Sequence, residues 1–268
     1  MQNKKFELLP FVYGKQLLVI ANDTGYGKAI QSFLSKKFDV HVHCTNTKGA
    51  GELQVKTLLQ YDCILIDATI GAISVKQLAD ALVQYCQLGS SNGLVLTNYT
   101  QKLENGLTSE PFMSTYHTFT ILDHYVTPQN MTITFLPEKK THPLLQNVEY
   151  FDGGYFSHHT MCDVLPENDL FTATEVIARW KDDSPLIAVK YSKSNQNVIV
   201  GLNMCASSSI GFPSFWSFEH TDGSTILYNA IVHAITGHPA SKSQLRNKAL
   251  QIAQQRKLTD CFILFQST

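Results

Sequence analysis

The sequence of 268 residues has no excess of charge of either sign and no long hydrophobic run. Its 21 Lys and Arg residues against 22 Asp and Glu residues give a formal net charge of -1, so no global field attracts nucleic acid or an anionic membrane. No window reaches the roughly 18 apolar residues that span a bilayer, and the basic N-terminus lacks the apolar core of a signal peptide. We therefore expect a cytoplasmic protein that binds neither nucleic acid nor a membrane.

The cysteines also lack a pattern, because none of the six belongs to a C-x-x-C pair. One of them, Cys63, lies inside a short apolar run. This usage is typical of reduced thiols in the cytosol, and it argues against a disulfide framework or a zinc ribbon. The chain has no internal repeat and no low-complexity linker.

Short aliphatic runs alternate with amphipathic segments in the first hundred residues. This alternation predicts parallel strands joined by right-handed crossovers, with helices on both faces of the sheet. A helix capped by Ser74 and closed by Gly89 is the longest of them. The predicted strands are 17–21, 38–43, 63–67 and 93–97, and the predicted helices are 26–37, 53–60 and 74–88.

The second half of the sequence has a different pattern of predicted strands and helices. Residues 99–130 are polar and irregular, and we interpret them as a loop with one short helix. Residues 131–135 alternate like a strand, and 141–154 read as a helical turn leading to another strand. Three β-rich runs, 174–180, 185–191 and 197–203, predict a meander that extends the sheet antiparallel. A helix over 222–236 follows, and the predicted appendage holds a helix at 243–257 and an apolar run at 261–265.

A glycine turn, Gly25-Tyr26-Gly27-Lys28, joins the first predicted strand to the first predicted helix. It fails the Walker pattern, because Asn22 stands at the first glycine position and Ala29 at the hydroxyl position. It also fails the dinucleotide pattern, because Ile30 replaces the third glycine. We therefore interpret it as a tight turn in which Asn22 and Thr24 supply the cap oxygens, and we expect no nucleotide cofactor.

The order of these segments resembles a known family. "LLVIANDTGYGKAIQSFL", "YDCILID", "GLVLTN", "HPLLQNV", "VIVGLN" and "DGSTILYNAIVHAITG" together resemble the class I glutamine amidotransferase-like superfamily, nearer its divergent ThuA-like members. The resemblance implies a flavodoxin-like three-layer sandwich with a mostly parallel central sheet and a site at the carboxyl ends of its strands. It covers residues 15–237 and leaves an N-terminal extension, 1–14, and a C-terminal helical appendage, 238–268.

Two catalytic features of that superfamily are absent. Its active members use a cysteine on a strand-to-helix elbow and a His-Pro-Glu run after a late strand. Here the elbow position holds Asn98-Tyr99-Thr100, and the late strand runs into Met204-Cys205-Ala206-Ser207. With neither the nucleophile nor the histidine in place, the resemblance predicts a pseudoenzyme without glutaminase activity.

Two other sets of residues are weaker candidates for chemistry. Cys205 could act as a nucleophile with His220 or His117 as its base, and Asp67 ends a strand at the expected crevice. Alternatively, these residues are a buried apolar cysteine and helix caps. The H-H-x-x-C run of His158, His159 and Cys162 could bind zinc, but adjacent histidines usually point apart, so we expect no metal there.

Polar and aromatic residues near the predicted strand ends are candidates for binding a ligand or a partner. The segment "GFPSFWSFEHTDG" concentrates aromatic side chains, and we expect them to pack on the domain. The alternative is an exposed anchor for a partner. The candidate binding residues are Asn22, Asp23, Thr24, Asn98, Asn203 and Trp216.

The sequence thus predicts a non-catalytic domain that binds other proteins in an intracellular assembly, with a small molecule or a sugar as another possible ligand. The alternative is a ThuA-like hydrolase or sugar-processing enzyme that uses Asp, His and Asn at the strand ends. A third class, a metal-binding enzyme, depends only on the histidine pair and its neighbouring cysteine.

Overall fold

The structure is a computed structural model, and it describes most of the chain between residues 14 and 236. The described ranges are 14–45, 53–67, 75–88, 92–98, 100–101, 107, 110–121, 131–155, 162–193, 197–211 and 213–236. The predicted appendage, the predicted cap Ser74 and Gly89 lie outside them, as does all of the predicted N-terminal extension except Gly14. The predicted domain boundaries therefore stay predictions.

Ten strands and five α-helices make up the described part of the chain. The strands are β1 Gln16–Ala21, β2 Asp39–Cys44, β3 Cys63–Asp67, β4 Gly93–Leu96, β5 Phe119–Ile121, β6 Ile133–Phe135, β7 Cys162–Val164, β8 Glu175–Trp180, β9 Pro185–Tyr191 and β10 Val198–Leu202. The α-helices are α1 Thr24–Leu34, α2 Val55–Leu58, α3 Val75–Leu88, α4 Phe112–Tyr116 and α5 Gly223–Thr236. Two short 3₁₀ helices lie at Pro137–Lys139 and Pro143–Leu145.

The main sheet has eight strands in the order β2-β1-β3-β4-β10-β9-β8-β6. Strands β1 to β4 and β10 run parallel, whereas β10, β9, β8 and β6 pair antiparallel. The first five strands have the flavodoxin-like order, with helices on both sides. The predicted fold class, a mostly parallel sheet with an antiparallel extension, is confirmed.

The central strands are buried on both faces because helices cover each side of the sheet. Along β1, Leu17 and Val19 face the layer that holds α1 and α5, and Leu18 and Ile20 face the layer of α2, α3 and α4. This explains why β1, β3 and β4 read as continuous apolar runs rather than as alternating ones. None of the described helices is long and apolar enough to cross a membrane.

Two predictions for the middle of the chain are wrong. The region read as irregular contains β5, which pairs antiparallel with β7 in a separate two-stranded sheet. The strand expected after the turn at Pro143–Leu145 is reduced to two isolated bridges, Asp152 with Thr132 and Gly154 with Phe215. Strand β5 has only three residues, too few for an alternating pattern to show in the sequence, and its pairing with the distant β7 defines it.

Candidate functional site

The carboxyl ends of β3, β4 and β10 meet at one edge of the sheet, because these strands are parallel neighbours. Asp67 ends β3, Thr97 and Asn98 follow β4, and Cys205 lies just after β10. We call these four residues the carboxyl-edge cluster. All are buried, and the side chains of Thr97, Asn98 and Cys205 have no exposed surface.

Asp67 is the acidic group of the carboxyl-edge cluster. It accepts hydrogen bonds from the Thr97 hydroxyl at 2.8 Å and from the Ala206 backbone N–H at 3.1 Å. Burial raises the pKa of this carboxyl, and the hydrogen bonds from Thr97, Ala206 and Ser207 oppose the shift without cancelling it. A carboxyl of raised pKa can hold a proton at a pH where an exposed aspartate cannot.

Cys205 lies beside the residue that occupies the expected elbow. The Asn98 amide donates to the Cys205 thiol at 3.8 Å, and the Asn98 backbone N–H donates to the Met204 carbonyl at 3.4 Å. The two bases named for Cys205 are poorly placed: His220 is exposed, and neither ring nitrogen of His117 has a hydrogen-bond partner among the described residues. A cysteine nucleophile needs a base within hydrogen-bond reach and an approach for the substrate.

The aromatic segment packs against this edge. The Trp216 indole N–H donates to the Cys205 carbonyl at 2.9 Å, and the Trp216 side chain is fully buried. Its ring contacts Phe33 of α1 at 6.1 Å between centroids and Phe151 at 6.3 Å. The prediction that this segment packs on the domain is confirmed for Trp216 and Phe215, while Phe212 lies outside the described residues.

The glycine turn after β1 is built differently from its predicted form. Asp23, not Asn22 or Thr24, caps α1, since its carboxylate accepts from the Tyr26 backbone N–H at 3.0 Å. Thr24 is instead the first residue of the helix. A β-carbon on Gly27 would lie 2.3 Å from Val42 Cγ1, so glycine is needed there for α1 to approach β2. Asp23 is the N-cap residue because it has the extended backbone conformation directly before the first helical residue.

Asn203, the residue after β10, contacts Cys162 of β7. The Asn203 amide donates to the Pro185 carbonyl at 3.0 Å and to the Cys162 thiol at 3.5 Å. Burial raises the pKa of that thiol to about 12. His158 and His159 lie outside the described residues, and no three His, Cys, Asp or Glu side chains within the described ranges are grouped to hold a metal ion.

A second buried polar pair was missed as such in the sequence. Lys190, on β9, has no exposed surface, and His117, just before β5, is equally buried. In the sequence, His117 is a candidate only as a base for Cys205, and Lys190 belongs to no motif. The available signal was a lysine inside the strand "PLIAVKY", whose other residues are apolar apart from the terminal tyrosine.

Comparison with known proteins gives a likeness of fold only. No family model matches the sequence, and no characterised protein sequence matches it. Among solved structures, a ThuA-like protein from Bacteroides uniformis is similar with a TM-score of 0.53 and 16% identity, covering 82% of this chain and 91% of that one. This likeness agrees with the ThuA-like fold that the order of segments predicts.

Two further structures resemble the chain more weakly. A carbohydrate deacetylase is 13% identical with a TM-score of 0.46, and the match covers 84% of this chain and 34% of that chain. The glutaminase domain of CTPS from Trypanosoma brucei is 9% identical with a TM-score of 0.43, and the match covers 81% of this chain and 93% of that chain.

Proposed function

We propose that this domain is a non-catalytic, amidotransferase-like binding module that works within an intracellular assembly of proteins. The supporting observation is that the polar atoms of the carboxyl-edge cluster bond to one another and to the backbone. Asp67 accepts from Thr97, Asn98 donates to Cys205, and Trp216 donates to the Cys205 carbonyl. Buried polar groups whose hydrogen bonds are already formed have few donors and acceptors left for a substrate.

Glutaminase chemistry requires a thiol on an exposed turn beside a histidine. At the elbow position the chain has Asn98, an amide that cannot act as a nucleophile. Cys205, the nearest thiol, is covered by Asn98 and by the segment that carries Trp216. The exposed histidine His220 donates its backbone N–H to the Ser217 hydroxyl within the turn that precedes α5.

Exposed apolar side chains near the same edge support a protein partner. Tyr155 and Ile210 are 47% and 56% exposed. The Tyr155 backbone N–H donates to the Ser214 carbonyl, and Ile210 lies on the loop between β10 and Trp216. Tyrosine is enriched in protein-binding surfaces, so the exposed ring of Tyr155 is the residue we assign to a partner.

The first experiment measures ammonia release from glutamine by the purified protein. We expect no release above the rate in buffer for the wild type, for Cys205→Ala and for the control Cys86→Ala. Cys86 is also buried but lies on α3, so the pair of variants separates chemistry from folding. Release that Cys205→Ala abolishes and Cys86→Ala preserves would refute the proposal.

The second experiment measures capture of partner proteins from the source cell with the wild type, Tyr155→Asp and Leu88→Asp. Leu88 is the control, because it is 67% exposed and ends α3. We expect Tyr155→Asp alone to lose a specific protein. Equal capture by all three, with each variant folded, would contradict a partner at this edge.

The alternative is a ThuA-like hydrolase or sugar-processing enzyme, and one observation favours it. Burial raises the pKa of Asp67, and a raised carboxyl pKa is what a general acid needs near neutral pH. Hydrolysis of ester or glycoside probes that Asp67→Asn abolishes without loss of folding would establish this alternative. The same assay without turnover in any variant favours the binding module.

A further inference from the structure

Lys190 is a buried cation that lacks an anionic partner in the described part of the chain. Its ammonium group donates to the Thr115 carbonyl at 3.2 Å, and no described carboxylate forms an ion pair with it. A lysine ammonium carries three N–H donors, so two remain for other acceptors. Burial lowers the pKa of this amine to about 8, which leaves it mostly protonated at pH 7.

His117 lies two residues after Thr115, whose carbonyl accepts from the Lys190 ammonium, and the charge of Lys190 acts on the imidazole. Burial lowers the pKa of its imidazole to about 3, with the charge of Lys190 adding to the shift and a backbone contact with Leu107 opposing it. The ring is therefore neutral at pH 7 and carries one N–H. Neither of its nitrogens meets hydrogen-bond geometry with any described residue.

The neighbouring polar groups are already occupied. Gln101 accepts from the Thr118 backbone N–H and hydroxyl through its side-chain oxygen and donates to the Leu96 carbonyl. The spare donors of this region thus belong to Lys190 and His117. A buried positive charge with unused donors is costly unless an anion neutralises it.

We propose that Lys190 and His117 bind a small monovalent anion of the size of chloride, between β9 and the segment that joins α4 to β5. The ammonium supplies the charge and the imidazole supplies a second N–H donor. The site lies on a different strand from the carboxyl-edge cluster, and it does not depend on the proposed binding function. A single negative charge matches the single positive charge of Lys190, since the histidine is neutral.

The test measures thermal unfolding in sodium chloride and in sodium gluconate at equal ionic strength. The proteins are the wild type, Lys190→Met and Lys193→Met; Lys193 is the control, because it pairs with Glu167 on the surface. For the wild type and Lys193→Met, we expect the melting temperature in chloride to rise by about 5 °C at a hundred times the dissociation constant. Lys190→Met should show no such rise.

A chloride titration of the wild type alone provides a second measurement. A specific site saturates with concentration, whereas the effect of ionic strength does not, so this arm works even if Lys190→Met fails to fold. Chloride should also raise the pH at which the Lys190 ammonium signal titrates in NMR spectra, because a bound anion favours the charged amine.

Two results would overturn the proposal. The first is the absence of a saturable chloride effect on the wild type. The second is an equal chloride effect in the wild type and Lys190→Met.

Discussion

The molecule buries two groups of polar side chains, and they differ in how completely their hydrogen bonds are satisfied. In the carboxyl-edge cluster, Asp67 accepts hydrogen bonds from a hydroxyl and from a backbone N–H. The Cys205 thiol accepts one from the Asn98 amide. In the region of Lys190 and His117, one bond to a carbonyl is formed while both imidazole nitrogens remain without a described partner. Both regions are closed to water.

This difference separates buried polar groups that stabilise the fold from buried polar groups that can bind a ligand. A satisfied cluster adds specificity and stability to the fold and has little left to offer a ligand. An unsatisfied pair carries a free-energy cost that a bound group can remove. The edge where the fold class predicts a functional site has its hydrogen bonds satisfied, whereas the region of Lys190 and His117, which no motif marks, does not.

The largest expected effect comes from opening the carboxyl edge. Trp216→Ala removes a fully buried indole and its hydrogen bond to the Cys205 carbonyl, so we expect a loss of ~3–5 kcal/mol in the free energy of unfolding. Urea unfolding measures this, with Tyr155→Ala, an exposed aromatic, as the control within about 0.5 kcal/mol of wild type. An unchanged unfolding midpoint for Trp216→Ala, with loss of a partner protein, would instead make this residue an exposed anchor.

The second prediction concerns acid stability at His117. Its pKa is lowered from 6.5 to about 3 in the folded protein, so below pH 6.5 the unfolded state binds a proton that the folded state does not. Stability should therefore fall with decreasing pH by up to ~1.4 kcal/mol per pH unit more in the wild type than in His117→Gln. Urea unfolding between pH 7 and pH 4.5 measures the two slopes, and parallel slopes would contradict the buried neutral imidazole.

The third prediction has the opposite sign of pH dependence. Because the pKa of Asp67 is raised from 3.8, the folded state keeps a proton that the unfolded state releases. The contribution of Asp67 to the free energy of unfolding is fully present below pH 3.8 and is lost as the pH rises through the pKa of the folded state. From pH 4 upward, the free energy of unfolding of the wild type should therefore fall relative to that of Asp67→Asn.

Removing the acceptor at the same position should also weaken the fold. Asp67→Ala leaves the Thr97 hydroxyl and the Ala206 N–H unpaired, at a cost of ~1–3 kcal/mol. Chemical unfolding of both variants at several pH values checks this. An alanine variant as stable as the wild type would show that the carboxyl-edge cluster is not held by these bonds.

The smallest effect is expected at the exposed turn after β1, outside both buried regions. Lys28→Ala should change the free energy of unfolding by less than about 0.5 kcal/mol, because Lys28 is exposed on α1. Gly27→Ala is the contrasting variant, since its β-carbon would collide with Val42. Saturable ATP binding by calorimetry that Lys28→Ala removes would show that the turn binds phosphate after all.

The strands of the sheet were predictable from the sequence wherever they were long or fully apolar. The runs at β1, β3, β9 and β10 were located within a residue or two of their observed ends. The three-residue strand β5 was missed, and the cap of α1 was assigned to the wrong oxygens. A short strand and a cap both depend on backbone geometry that neighbouring segments impose, which leaves little trace in local composition.

The position of the candidate site residues in the fold was predictable from the sequence, but their hydrogen bonds and burial were not. Asp67 and Asn98 were chosen because they follow strands, and the structure brings both to one edge. The sequence does not reveal that Asp67 is bonded to the backbone at Ala206, which lies 139 residues further along the chain. It also does not reveal that Trp216 covers Cys205.

The sequence by itself determined the alternation of strands and helices, the glycine turn between the first strand and the first helix, and the residue types at Asn98-Tyr99-Thr100 and Met204-Cys205-Ala206-Ser207. These are properties of residue type and spacing. Only the tertiary structure decided which polar groups are satisfied: Lys190 meets a carbonyl 75 residues away, while His117 is buried without a described partner. The physical reason is that the burial and hydrogen bonding of a polar group depend on the segment packed against it, and the pairing of strands distant in sequence determines which segment that is.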